Sequence, residues 1–193
     1  NRYKWNSNCK RNSGNRMSVL TSSELQSVAL ASSVSFPAGG TGNPISLAVI
    51  ADEKSATTNG GTFTHGAWRT RDLGTELCDP DSIVTLSSNQ FTLGAGMYLI
   101  QWVCPAKNTT QTKSALYDVT GTAYLEYGCT AYSHQDGYAD CRSIGSFVHS
   151  PTGSNAYEIR QRCTTTASTN GFGEAAGYSV VEIYTVVTIY KLK

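Results

Sequence analysis

The chain has 193 residues and a mass of 20.7 kDa, the length of one domain or of one domain with an arm. Hydrophobic residues make up 39%, enough for a core, while charged residues make up only 15%, against roughly 25% in an ordinary soluble protein. The 22 serines, 23 threonines, 18 glycines and 11 tyrosines are the vocabulary of short strands and tight turns, and no apolar run approaches the ~18 residues of a membrane helix, so the composition describes a soluble all-β protein with no membrane insertion.

The first residues differ from the rest. Arg2, Lys4, Lys10, Arg11 and Arg16 come before any acid, the first being Glu24. Residues 17–193 then hold ten bases against fourteen acids. A basic arm on a mildly acidic body is either a solvated tail or a segment that docks on an acidic surface. Those five cations are the candidate attachment residues. Set among Asn and Ser, they are too few to argue for nucleic-acid binding. The start has no secretory leader pattern, and Asn1 in place of Met reads as a processed or incomplete end.

Residues 1–42 are irregular and form an arm, with one short helix or turn expected within 17–36, capped by Ser22 or Ser23. Pro37 to Pro44 (PAGGTGNP) reads as a hinge, and the globular domain is expected over 43–193. Ile45 to Ala51 is a compact apolar run suited to a buried strand. Gly66 to Leu77 alternates loosely, and Ile83 to Leu86 and Gln90 to Leu93 are two short pieces. In Met97 to Pro105, Tyr98, Ile100 and Trp102 share one face, with Leu99 and Val103 on the other. Residues 112–119 and 122–127 flank Thr120-Gly121 as a hairpin, and 142–150 and 155–164 flank Pro151-Thr152-Gly153 as a second. Glu182 to Lys193 is apolar on both faces, with Ile183, Val187 and Ile189 alternating with Tyr184, Val186 and Tyr190. Such a strand must be covered on both sides. Strands at regular spacing with no helix between them predict an antiparallel sandwich.

No enzyme signature is present. There is no G-x-S-x-G elbow, P-loop or dinucleotide fingerprint, and Asp79, Asp81 and Glu174 are isolated carboxylates. His65, His134 and His149 lack metal-ligand spacing, so no metal and no cofactor is expected. The six cysteines, Cys9, Cys78, Cys104, Cys129, Cys141 and Cys163, contain no C-x-x-C pair. Their even number and wide spacing fit disulfides in a particle or secreted protein, or six reduced, buried small residues. One recognition surface stands out: Tyr124, Tyr127, Tyr132, His134, Asp136, Tyr138 and Asp140 crowd a hairpin and loop, and Tyr132, His134, Asp136 and Tyr138 are the candidate ligand contacts. Tyrosine among small polar residues gives rigid amphipathic contact area suited to protein or glycan.

The stretch QFTLGAGMYLIQW (90–102), with Phe91, Leu93, Gly96 and Tyr98 in an F-x-L-x-x-G-x-Y order, resembles the core of C1q- and tumour-necrosis-factor-like jelly rolls. The resemblance continues through LYDVTGTAYLEYG (116–128) and FGEAAGYSVVEIYTVVTIYKL (172–192), and covers about residues 45–192. The ordering is similar in particular to C1q-like domains of tailed-phage structural proteins, such as tail-fibre tips and head-decoration proteins. It implies a two-sheet jelly roll assembled as a homotrimer. The expected function is that of a non-enzymatic virion structural protein, attached to other virion proteins through its arm and meeting a host-surface glycan or protein. A secreted C1q-like binding module is the alternative. The implied strand order also predicts two disulfides, Cys104–Cys141 and Cys129–Cys163, leaving Cys9 and Cys78 to pair with each other or with a neighbouring subunit.

Overall fold

The computed structural model describes residues 45–134 and 140–192. Among them are eleven strands and no helix: β1 (Ser46–Lys54), β2 (Arg69–Thr70), β3 (Thr75–Cys78), β4 (Val84–Ser87), β5 (Gln90–Leu93), β6 (Tyr98–Lys107), β7 (Thr110–Asp118), β8 (Ala123–Ser133), β9 (Asp140–His149), β10 (Asn155–Cys163) and β11 (Glu182–Lys191). One antiparallel sheet has the order β3-β1-β11-β6-β9. The other has the order β4-β5-β10-β7-β8, with β2 paired to β10. This is the all-β, two-sheet jelly roll anticipated from the sequence. The arm, its five cations and the short helix or turn of 17–36 lie outside the described residues.

Period-two alternation does most of the work. On β6, Tyr98, Ile100 and Trp102 point into the core and meet Ile50, Val187 and Ile189 of their own sheet and Phe91, Leu116, Tyr157 and Ile159 of the other. Each such side chain contributes roughly 1.5–3 kcal/mol when fully buried. The first hairpin forms as expected across β7 and β8. The second does not: β9 pairs with β6, whereas β10 lies between β5 and β7. The Pro151-Thr152-Gly153 turn therefore carries the chain from one sheet to the other. Alternating strands around a turn look the same in sequence whether or not they pair, and only the shape of the core separates the cases.

The faces of β11 also differ from simple alternation. Against β1, Ala51 lies opposite Val186 but Glu53 lies opposite Ile183. Two residues of β11, Tyr184 and Thr185, thus oppose the single Asp52. This bulge reverses the parity of the strand. Val187 and Ile189 stay in the core, while Ile183 turns outward beside Val186.

Glycine matters where the two sheets close on each other. A Cβ on Gly145 would lie 2.0 Å from the Trp102 ring, so β9 must be bare there for the indole to fit. The Trp102 indole N–H donates to Ser114 Oγ at 2.8 Å, and Ser114 Oγ lies 2.7 Å from Ser143 Oγ. That chain of polar groups ties β6 and β9 to β7 through the core.

A second tie is charged. Arg71 has no exposed surface. Its guanidinium donates to Thr185 Oγ1 (2.6 Å) and Pro105 O (3.4 Å) on one sheet, Gln161 Oε1 (3.2 Å) on the other, and Phe172 O (3.1 Å) in the connecting loop. Asp52, also buried, supplies the countercharge at 4.0 Å and is held by Lys54 at 3.0 Å. Burial pushes the Asp52 carboxyl above its ordinary range, against the pull of Lys54 and Arg71.

The predicted disulfides are not formed: Cys78, Cys104, Cys129, Cys141 and Cys163 are free thiols. Cys104 and Cys141 do lie on neighbouring strands, but their register partners are Ser143 and Ala106, which sets the two thiols on a diagonal rather than opposite each other. Cys129 and Cys163 flank β7 as expected, and flanking is the obstacle. Two strand spacings of ~4.8 Å separate their backbones, beyond the roughly 7 Å a disulfide spans. A Cys9–Cys78 pair involves a residue outside those described. Burial pushes the thiols of Cys104 and Cys163 up to about 11, which disfavours the reactive thiolate at neutral pH.

Replacing Arg71 with Met strands four acceptors and the Asp52 charge, and should cost about 3–5 kcal/mol, read from the midpoint of urea unfolding. Iodoacetamide at pH 8 should alkylate Cys78 and Cys129 in the native protein and reach Cys104 and Cys163 only after denaturation. Peptide mapping checks this, and a native Cys104 or Cys163 adduct would contradict the burial.

Candidate functional site

The outer face of the β4-β5-β10-β7-β8 sheet gathers aromatic side chains. In a regular strand Tyr124 and Tyr127, three residues apart, would point to opposite faces. They share one face because β8 carries extra residues. Tyr117 lies opposite Tyr124, Ala115 opposite Tyr127 and Lys113 opposite Thr130, so β7 advances two residues where β8 advances three, twice in succession. Each bulge returns the next tyrosine to the outside. Gln111 lies opposite Tyr132, which puts Tyr132 on that face as well, 56% exposed.

The rings touch. Trp68, in the segment before β2, lies 5.2 Å from Tyr124 and 5.9 Å from Tyr127, and Tyr124 lies 4.8 Å from Tyr117 and 5.7 Å from Tyr127 between centroids. These are distances at which offset and edge contacts stabilise. Arg160 of β10 lies over the Tyr117 ring at 3.4 Å, donates from Nη1 to the Tyr124 hydroxyl at 3.3 Å, and pairs with Glu158 at 2.5 Å. Beside this stack a groove of 240 Å3 runs past Trp68, Lys113, Arg162, Thr130, Thr164 and Gln111.

Of the four candidate contacts predicted from sequence, Tyr132 belongs to this face. His134 follows it, with its ring 6.3 Å from that of Tyr132. Asp136 and Tyr138 lie outside the described residues. Sequence reasoning missed Trp68, Lys113, Tyr117, Arg160 and Arg162. The spacing of Lys113 and Tyr117 on one strand face carried a readable signal, whereas Trp68 sits in a loop and its arrival beside Tyr124 has no local signature.

The groups weighed for chemistry have structural partners. Asp79 accepts from the backbone N–H of Ile83 (2.9 Å) and Val84 (2.8 Å), closing a turn. Glu174 pairs with the mostly buried Lys107. His149 shares a hydrogen bond with the Tyr157 hydroxyl at 2.9 Å, and burial lowers its pKa from the ordinary value. No three His, Cys, Asp or Glu side chains converge as metal ligands among the described residues.

The outer face of the β3-β1-β11-β6-β9 sheet is different. Leu47, Tyr190, Leu99 and Val148 form one cross-strand row, and Val186, Val103 and Ile144 form another. Ile144 is 52%, Val148 54% and Ile183 47% exposed. A hollow of 250 Å3 lies among Val103, Ile144, Gly145 and Val186.

No family model matches the chain, and no curated protein matches it. Solved structures do. The crystal structure of murine APRIL at pH 5.0 superposes with a TM-score of 0.50 at 10% identity, covering 77% of this chain and 99% of that one. The structure of Eiger TNF from S. frugiperda gives 0.51 at 12% identity over 78% of this chain and 94% of that one. The globular domain of zebrafish complement 1qA protein gives 0.48 at 11% identity over 78% and 98%. The likeness is one of fold, and the fold of this chain is a TNF-like jelly roll.

Proposed function

We propose that this chain is a non-enzymatic recognition module that works as a homotrimer. The outer face of the β3-β1-β11-β6-β9 sheet is its subunit interface, and the aromatic face of the other sheet is turned to a ligand. The observation that carries the reading is the pair of apolar rows on that outer face, with Ile144, Val148 and Ile183 about half exposed in the single chain. Two apolar rows flanking a polar row of Thr188, Gln101 and Ser146 mark an interaction surface, and a second copy is the cover that every molecule of this chain has at hand. The C1q/TNF-like resemblance supports three copies about an axis, a closed cyclic arrangement.

The basic arm supports display of that trimer on a larger assembly such as a virion, with Arg2, Lys4, Lys10, Arg11 and Arg16 as the attachment residues. Export as a secreted recognition module is the alternative reading.

Sedimentation of the full chain at micromolar concentration should give three times the 20.7 kDa chain mass. Ile144→Glu and Val148→Glu, both at solvent-facing positions of β9, should give folded monomers with an unchanged β-sheet circular-dichroism spectrum. A wild-type monomer, or charge variants that stay trimeric, would remove this face as the interface.

A further inference from the structure

Lys113 and Arg162 lie directly opposite each other on β7 and β10, both exposed on the outer face of their sheet. Like charges directly opposite across an antiparallel pair are destabilising. Among the described residues no carboxylate lies within 4.0 Å of either cation, in contrast to Arg160, which Glu158 neutralises one row away. The two cations instead line the 240 Å3 groove walled by Trp68. The Lys113 ammonium sits 5.5 Å from the Tyr127 ring centroid, so the aromatic stack leads straight to the charged pair.

We propose that this groove binds an acidic saccharide unit, its carboxylate bridging Lys113 and Arg162 and one apolar face of its ring against Trp68. An anion between two opposed cations converts their repulsion into two charge-assisted hydrogen bonds. The flat indole supplies apolar contact area at low entropic cost. The remaining walls are sugar-like in their needs: the hydroxyls of Thr130 and Thr164 and the amide of Gln111. Gln111 Oε1 accepts from Thr164 Oγ1 at 2.7 Å, which leaves its Nε2 donors for a ligand hydroxyl.

Charge selects this ligand class over a nucleic acid. Lys113 and Arg162 are the two cations lining the groove, enough for one carboxylate and too few to follow a polyanionic backbone. The proposal rests on the recognition reading of this face, and it lies on the opposite side of the sandwich from the proposed subunit interface.

Calorimetric titration of the full chain with 3′-sialyllactose and with a hyaluronan tetrasaccharide tests it, with lactose and chitotetraose as their neutral counterparts. At least one acidic probe should bind at least tenfold more tightly than its counterpart. Lys113→Ala and Arg162→Ala should each weaken it about tenfold, the equivalent of one lost charge-assisted hydrogen bond. Trp68→Ala should abolish binding and Trp68→Phe should retain most of it. Because each alanine relieves the cation pair, neither Lys113→Ala nor Arg162→Ala should lower the melting temperature, and a fall would mark these residues as structural. Failure of both acidic probes, equal binding of the neutral sugars, or equal binding of inorganic sulfate or a thymidine hexanucleotide would overturn the proposal. Sedimentation of the same samples reads assembly separately, so loss of sugar binding in an intact trimer counts against the ligand class alone.

Discussion

A guanidinium with no exposed surface sits between the two sheets, and the surrounding structure is arranged to answer its donors. Arg71 reaches Thr185 and Pro105 on one side, Gln161 on the other, and the Phe172 carbonyl at the loop end, with its charge plane 4.1 Å from the Phe172 ring centroid. Removing such a cation from water is costly, and only a full set of acceptors with a countercharge offsets it. The network continues outward. Gln161 Nε2 donates to Thr112 Oγ1, which donates to the Arg162 carbonyl, so the buried charge is wired to the strands that carry the outer groove. Hydrophobic packing would let the sheets slide over each other by small steps, but a fixed fork of donors does not.

The bulges are the second constraint. In β11 one bulge turns Ile183 outward beside Val186 and enlarges the apolar outer face. In β8 two bulges bring Tyr124, Tyr127 and Tyr132 to one side. Both effects come from one extra residue on one strand, which changes the face of everything beyond it. The same device thus builds an apolar surface on one sheet and an aromatic surface on the other. The two faces lie on opposite sides of the sandwich.

The core follows from composition and alternation. Small residues, Gly145, Ser114 and Ser143, make room for Trp102 and satisfy its N–H, and Tyr98, Ile100, Val187 and Ile189 fill the rest. None of this requires an active site, and the carboxylates that drew notice in the sequence, Asp79 and Glu174, close a turn and neutralise a lysine.

The amino-acid sequence by itself determined the fold class. The inward face of β6, the β7–β8 hairpin and the existence of the closing strand were legible, because period-two burial is local, while the β11 bulge that turns Ile183 outward was not. It also pointed to the tyrosines of β8 as a recognition surface. Local alternation misread the Pro151–Gly153 turn as a hairpin where the implied jelly-roll order placed β9 beside β6 and β10 beside β7, and tertiary structure alone decided why the thiols of Cys129 and Cys163 stay apart and how Trp68, Lys113 and Arg162 come to share one groove. These depend on register and bulge position, which are set by contacts between residues distant in the chain. A one-residue shift there reverses a face without altering any local pattern.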